Sequence, residues 1–251
     1  MSLIQDLYDL ELSQTELLYE KVCNGELISI RQYQSYRWMS LGGEMIQSLI
    51  NLDKPNELLL PNLNTMLYAI ELVDRSVNCL NIGAGTGSID RYLKHTFPDL
   101  NLVSIEADQK IAALAEQYFQ IKQQDIVIAT AEDYLKNNQQ KFDLILIDIY
   151  AGEQHPKCLY DEQFYVSLSK AMAGQCIVAL NLLPETEEDL LKILKPLNDH
   201  VHCLLLHEVP EHDNVIIFAL YDANCTLDKM LNCVGLLENK GIHTEVLSQN
   251  F

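Results

Sequence analysis

The segment that most constrains the fold is Gly83-Ala84-Gly85-Thr86-Gly87. It lies between an apolar run, Val77–Ile82, and a stretch of helical periodicity, Ser88–His95. Glycines at such a junction permit a tight turn and let the main chain approach closely whatever packs on it. The spacing is GxGxG. The dinucleotide fingerprint GxGxxG needs glycine at position 88, which is Ser88. A turn of this kind belongs at the first strand-to-helix junction of a Rossmann-like α/β fold, so strand and helix should alternate after it.

They do. A helix running through Leu72 leads to strands at Val77–Ile82, Leu102–Glu106, Ile126–Thr130, Leu144–Asp148, Cys176–Leu180, Cys203–Val209 and Val215–Leu220. Between them lie helices at Ser88–His95, Gln109–Phe119, near Glu132–Asn137, at Asp161–Met172 and at Glu187–Leu197. Apolar strands alternating with helices predict a mostly parallel sheet of about seven strands, covered on both faces. The helix at 109–119 has the clearest pattern, with Ile111, Leu114, Ala115, Tyr118 and Phe119 on one face and Asp108 as N-cap. Pro210–Asn214 is too short for a crossover, so the last strand is expected to be antiparallel.

Upstream, β-prone runs at Leu27–Arg31, Gln34–Leu41 and Met45–Ile50, with a Gly42-Gly43 turn, predict a small antiparallel unit. Asn, Asp, Lys and Pro cluster at Leu52–Pro61. This divides the chain into a small β region, 1–55, and an α/β region, 56–251. The small unit is too slight to stand alone and must pack on the main domain or on a second subunit.

Composition narrows the partners. A net charge of -19, with only 17 Lys and Arg spread through the chain, argues against a nucleic-acid partner. No apolar run approaches a membrane span, and the acidic first twenty residues lack a signal peptide's basic start, so a cytoplasmic protein is expected. The seven cysteines form no CxxC pair and read as small buried hydrophobes rather than a disulfide framework. His200, His202, His207 and His212 invite a zinc reading, but no Cys or carboxylate set completes a site, and no metal is expected.

The chemistry-bearing residues fall at strand ends. Glu106 ends the second strand, where related folds place a carboxylate that accepts both ribose hydroxyls. Alone it also fits a solvated strand end, as the glycine turn alone also fits packing. Together they favour an adenosyl nucleoside. Ala131-Glu132-Asp133 follows the third strand, with Asp133 placed for an adenine amino group and Glu132 for helix capping. Asp148 stands at the carboxyl end of a central strand, where open α/β sheets place their chemistry, and Asp143 at the other end reads as structural. Tyr150 suits either an acceptor pocket or simple packing.

The order of these pieces resembles the spermidine synthase family of polyamine aminopropyltransferases, on a core shared with class I methyltransferases. VSIEADQKIAALAEQYF resembles that family's acidic strand end and following helix; DLILID with LYDEQFY resembles its catalytic strand and downstream segment. YRWMSLGGEMIQS resembles its N-terminal hairpin, with Gln47 near a nucleoside-contacting glutamine. The resemblance implies that Gln47, Gly83, Gly85, Thr86, Gly87, Glu106 and Ala131–Asp133 hold decarboxylated S-adenosylmethionine or S-adenosylmethionine, and that methylthioadenosine is released. It implies Asp148 as catalytic residue, a small-molecule amine as acceptor, and a homodimer. Several positions depart from the family: Thr86 replaces an acid of its glycine loop, and Leu63-Asn64-Thr65 replaces its Tyr-His-Glu. Ala151 replaces a second aspartate, and Val209-Pro210-Glu211-His212 stands for its Pro/Tyr loop. Two alternatives therefore stand beside aminopropyl transfer: a small-molecule methyltransferase using S-adenosylmethionine, and a non-catalytic nucleoside-binding homologue.

Overall fold

The computed structural model describes residues 3–23, 25–43, 45–73, 78–150, 155–222, 224 and 226–249. The chain opens with α1 (Leu3–Tyr8), which buries Ile4 and Leu7. Four strands follow in sequential antiparallel order: β1 (Glu16–Cys23), β2 (Glu26–Tyr33), β3 (Tyr36–Leu41) and β4 (Ile46–Asn51). Three of these match the predicted runs, with two starts corrected: β4 begins at Ile46 rather than Met45, and β3 at Tyr36. Gln34 is not strand but a turn residue with φ 54°, and Tyr33 pairs directly with Tyr36. β1 escaped notice because its residues are exposed or half-buried, so it lacks the apolar alternation of a strand with one buried face.

Both faces of this small sheet are used. Ile28, Ile30, Met39 and Ile50 pack with Ile111, Leu114 and Phe119 of the α/β region, while Trp38, Ile46 and Leu49 join the cluster around Met66 and Leu67. Adjacent residues Trp38 and Met39 thus enter different clusters, as side chains alternating across a strand must.

The main sheet is built by α2 (Pro61–Leu67), β5 (Asn78–Ile82), α3 (Ser88–Thr96), β6 (Asn101–Glu106), α4 (Gln109–Tyr118), β7 (Val127–Ile128) and α5 (Ala131–Asn137). β8 (Phe142–Ile147), α6 (Glu162–Ala171), β9 (Met172–Leu182), α7 (Glu187–Asn198), β10 (Cys203–Glu208), β11 (Val215–Asp222), α8 (Leu227–Glu238) and β12 (Glu245–Gln249) complete it. Its eight strands run in the order β12-β10-β11-β9-β8-β5-β6-β7. The neighbours from β9 to β7 are parallel, and β11 inserts antiparallel between β9 and β10. The predicted hairpin of the last two apolar strands is therefore present. β12 is the strand the sequence did not suggest, because its short polar run reads as an edge. Asp108 caps α4 as anticipated, accepting from Lys110 N–H, and Thr130, Asp161 and Thr186 cap their helices in the same way. The cap of α5 is therefore Thr130 and not Glu132, which lies inside its first turn.

β5 lies between β6 and β8, so the connections leaving it diverge there. The crevice outside the carboxyl ends of these strands is the place such sheets offer a ligand. All three ends carry residues singled out from the sequence: the glycine loop after β5, Glu106 on β6 and Asp148 after β8.

Candidate active site

The glycine loop is held against its neighbours by backbone geometry. Gly83 N–H and Ala84 N–H both donate to Ile105 O, at 3.0 and 2.9 Å. Gly83 has φ 91°, and any Cβ there would overlap the carbonyl of Asp148. Gly87 has φ 76°, and a Cβ there would overlap the Ile121 side chain. Both positions exclude side chains twice, by conformation and by space.

Glu106 braces this loop. Its Oε2 accepts from Gly85 N–H and its Oε1 from Asp108 N–H, both at 2.9 Å. Burial pushes its pKa above the ordinary range, and the two amides pull the other way. Each oxygen keeps a further lone pair for a ligand hydroxyl. Thr86 is 1% exposed, and its Oγ1 has no hydrogen-bond partner among the described residues.

Sequence reasoning missed Arg91. This buried guanidinium donates to Thr86 O and Phe119 O at 2.7 Å each, to Pro55 O at 2.9 Å and to Ser88 Oγ at 3.2 Å. It thereby joins the glycine loop, the end of α4 and the segment after the small sheet. Desolvation lowers its pKa to about 10, so it stays charged at neutral pH.

Asp148 lies across the crevice. Its N–H extends the β5–β8 ladder by donating to Ile82 O at 2.9 Å. Its Oδ1 accepts from Asn181 Nδ2 at 2.8 Å. Asn181 Oδ1 in turn accepts from Asn214 Nδ2 at 3.0 Å, and Tyr150 Oη donates to Asn181 O at 3.3 Å. Burial, opposed by the Asn181 bond and reinforced by the Glu106 charge, pushes the Asp148 carboxyl up to about 6. Burial also drives the Tyr150 phenol well upward, so it remains protonated. Asn181 and Asn214 were not anticipated. A lone amide inside the apolar run 176–183 was the available signal, since a buried polar side chain demands a partner.

Above these buried supports opens one cleft of about 750 Å³, within the range of small-molecule sites. Gln47, Gly83, Gly85, Thr86, Glu106, Ala131, Glu132, Asp148 and Tyr150 all line it. Asp133 does not. It lies in the first turn of α5, where its N–H is taken by the Thr130 cap, and it borders a separate shallow hollow. Leu63 and His212 line the cleft, Asn64 donates to Leu58 O, and Thr65 is buried on α2. Ala151 lies outside the described residues. Glu26, Asp108, Glu211 and Asp213 add further carboxylates, and among the described lining residues there is no Lys or Arg. Asp143, read as structural, accepts from Asn78 N–H at 2.9 Å at the far end of the sheet. No described helix is long and apolar enough to cross a membrane.

Known proteins align with this arrangement. Residues 44–149 match the family described as methyltransferase small domain. A polyamine aminopropyltransferase of Chromobacterium violaceum is 29% identical over 158 residues, covering 61% of this chain and 60% of the relative. The chain thus spans about three fifths of the length of the curated relatives it matches. A probable spermidine synthase from Corynebacterium glutamicum superimposes with TM-score 0.71 at 15% identity, covering 92% of this chain and 90% of the other. Human methyltransferase-like protein 13, solved with SAH, superimposes with TM-score 0.62 at 19% identity, over 72% of this chain and 91% of that one. The chain is thus similar in sequence to polyamine aminopropyltransferases over about three fifths of its length, and it carries a methyltransferase-like fold.

Proposed function

We propose that the chain is a transferase that moves an aminopropyl group from decarboxylated S-adenosylmethionine to a small amine. The observation that carries this reading is the charge of the cleft. It is lined by carboxylates and, among the described residues, by no Lys or Arg. A donor or acceptor bearing ammonium groups finds counter-charges there, whereas a donor carrying a free carboxylate finds none.

The residues present suit such a donor. Gly83 and Gly85 line the cleft without side chains, and Glu106 retains lone pairs for ribose hydroxyls. The donor's sulfonium makes the neighbouring carbon electrophilic. The protein's task is then to deliver a deprotonated amine in line with the carbon–sulfur bond. Asp148, with a pKa of about 6, is mostly ionised at neutral pH yet close enough to it to serve as a proton acceptor. Asn181 occupies Oδ1 and leaves Oδ2 for the ammonium. Tyr150, held by Asn181 O and Asn214, forms the adjoining wall.

Methyl transfer from S-adenosylmethionine is the second reading. In its favour Thr86 places an unpartnered neutral hydroxyl, rather than a carboxylate, in the glycine loop. Calorimetry with S-adenosylmethionine, its decarboxylated form and methylthioadenosine, followed by product detection with putrescine, separates the two. Preference for the decarboxylated donor with release of methylthioadenosine supports aminopropyl transfer. Preference for the carboxylated donor supports methyl transfer, and binding without any product leaves a nucleoside-binding homologue.

A further inference from the structure

His155 has no part in the chemistry described so far, yet its buried ring joins three segments of the site. Nε2 accepts from Leu183 N–H at 2.9 Å, just beyond β9. The ring lies face to face with Tyr150, centroids 6.0 Å apart and planes 27° from parallel. Nδ1 faces Asp189 Oδ2 of α7 at 3.6 Å and Tyr160 Oη at 3.5 Å, and Tyr160 itself donates to Asp189 Oδ1 at 2.7 Å.

The tautomer follows from these partners. A backbone amide only donates, so Nε2 carries no proton while the Leu183 bond stands. The ring's single proton is on Nδ1, toward Asp189, and the imidazole is neutral. Burial, the larger influence, draws the His155 pKa below its usual value against the opposing pull of Asp189. The ring is therefore a fixed acceptor for one amide and a fixed face for one phenol ring.

Both groups it holds line the cleft, Leu183 and Tyr150. Tyr150 also bonds to the asparagine pair that orients Asp148. We infer that His155 is a positioning residue that sets the wall of the amine end of the cleft, through the Leu183 backbone and the Tyr150 ring. This rests on reading the cleft as a joint nucleoside and amine site. His155 is not among the residues lining the cleft, and Leu183, Tyr150, Asp189 and Tyr160, which it contacts, belong neither to the glycine loop nor to its Glu106 brace, so its effect is confined to the amine.

The test uses the full chain and measures putrescine binding by calorimetry in the presence of methylthioadenosine. His155→Ala removes both the acceptor and the face. His155→Phe keeps a face without the acceptor, and serves also if the alanine variant fails to fold. His155→Gln keeps an oxygen that can accept from Leu183 N–H. The expected result is amine binding weakened about tenfold in the Ala and Phe variants and restored to within about threefold of the parent in Gln. Methylthioadenosine binding should stay within about twofold throughout. Unchanged amine affinity in the Ala and Phe variants, or parallel loss of both ligands, overturns the inference. An unsubstituted protein that binds methylthioadenosine but no amine overturns the underlying reading of the cleft instead.

Discussion

Asn181 donates to Asp148 Oδ1 at 2.8 Å across the carboxyl ends of β9 and β8. A carboxylate accepts and does not donate, so the amide of Asn181 has one orientation, and its oxygen is left for Asn214. The bond favours the ionised form of a carboxyl that burial otherwise disfavours. Asn181→Leu therefore raises the Asp148 pKa above about 6. The acid limb of kcat/KM against pH should move upward, and turnover at pH 7 should fall about tenfold. An unmoved limb would show that Asp148 does not govern it.

Asp148→Asn separates catalysis from stability. Turnover should fall about a hundredfold or more, with methylthioadenosine affinity retained. In the folded protein this carboxyl holds its proton up to about pH 6, longer than in the unfolded chain. Its native form thus loses stability as pH rises from about 4 to about 6, with little change above. The asparagine variant escapes this loss. Its stability relative to the parent should be lowest near pH 4 and rise through pH 6, by at most about 3 kcal/mol in all. Melts across this range check the sign.

Glu106→Gln tests the nucleoside end. Each carboxylate oxygen accepts a backbone N–H, from Gly85 or from Asp108. Glutamine keeps one acceptor and turns an NH2 group toward the other donor. Methylthioadenosine binding should weaken by about tenfold to a hundredfold, through both the distorted loop and the poorer ribose acceptor. Calorimetric affinity within twofold of the parent would remove Glu106 from the site, a threshold well inside that expected loss of about tenfold.

Arg91→Met removes a buried cation and leaves the carbonyls of Thr86, Phe119 and Pro55 without it. Stranded acceptors of this kind should cost about 3 kcal/mol, read in urea unfolding. Nucleoside binding should weaken as well, because Thr86 O belongs to the glycine loop. Arg91→Lys should recover only part of both, since an ammonium does not span these carbonyls as the planar fork does.

What was legible in the sequence depended on near neighbours. The glycine turn, the Asp108 cap and the alternation of apolar strands with helices are local patterns of φ, hydrogen bonding and burial. So was the placing of Glu106 and Asp148 at strand ends, because side chains there inherit their position from the strand. β1 and β12 were hidden, since edge strands bury too little to impose a period on their residues. Tertiary structure alone brought Asn181 to Asp148, Asn214 to Tyr150, His155 to Leu183 and Arg91 to Phe119. Each pairing joins segments distant in the chain, so no local periodicity records it. The same is true of the cleft's charge: a net charge of -19 does not say where carboxylates gather, and only folding brought them around the glycine loop, without a Lys or Arg among the described lining residues.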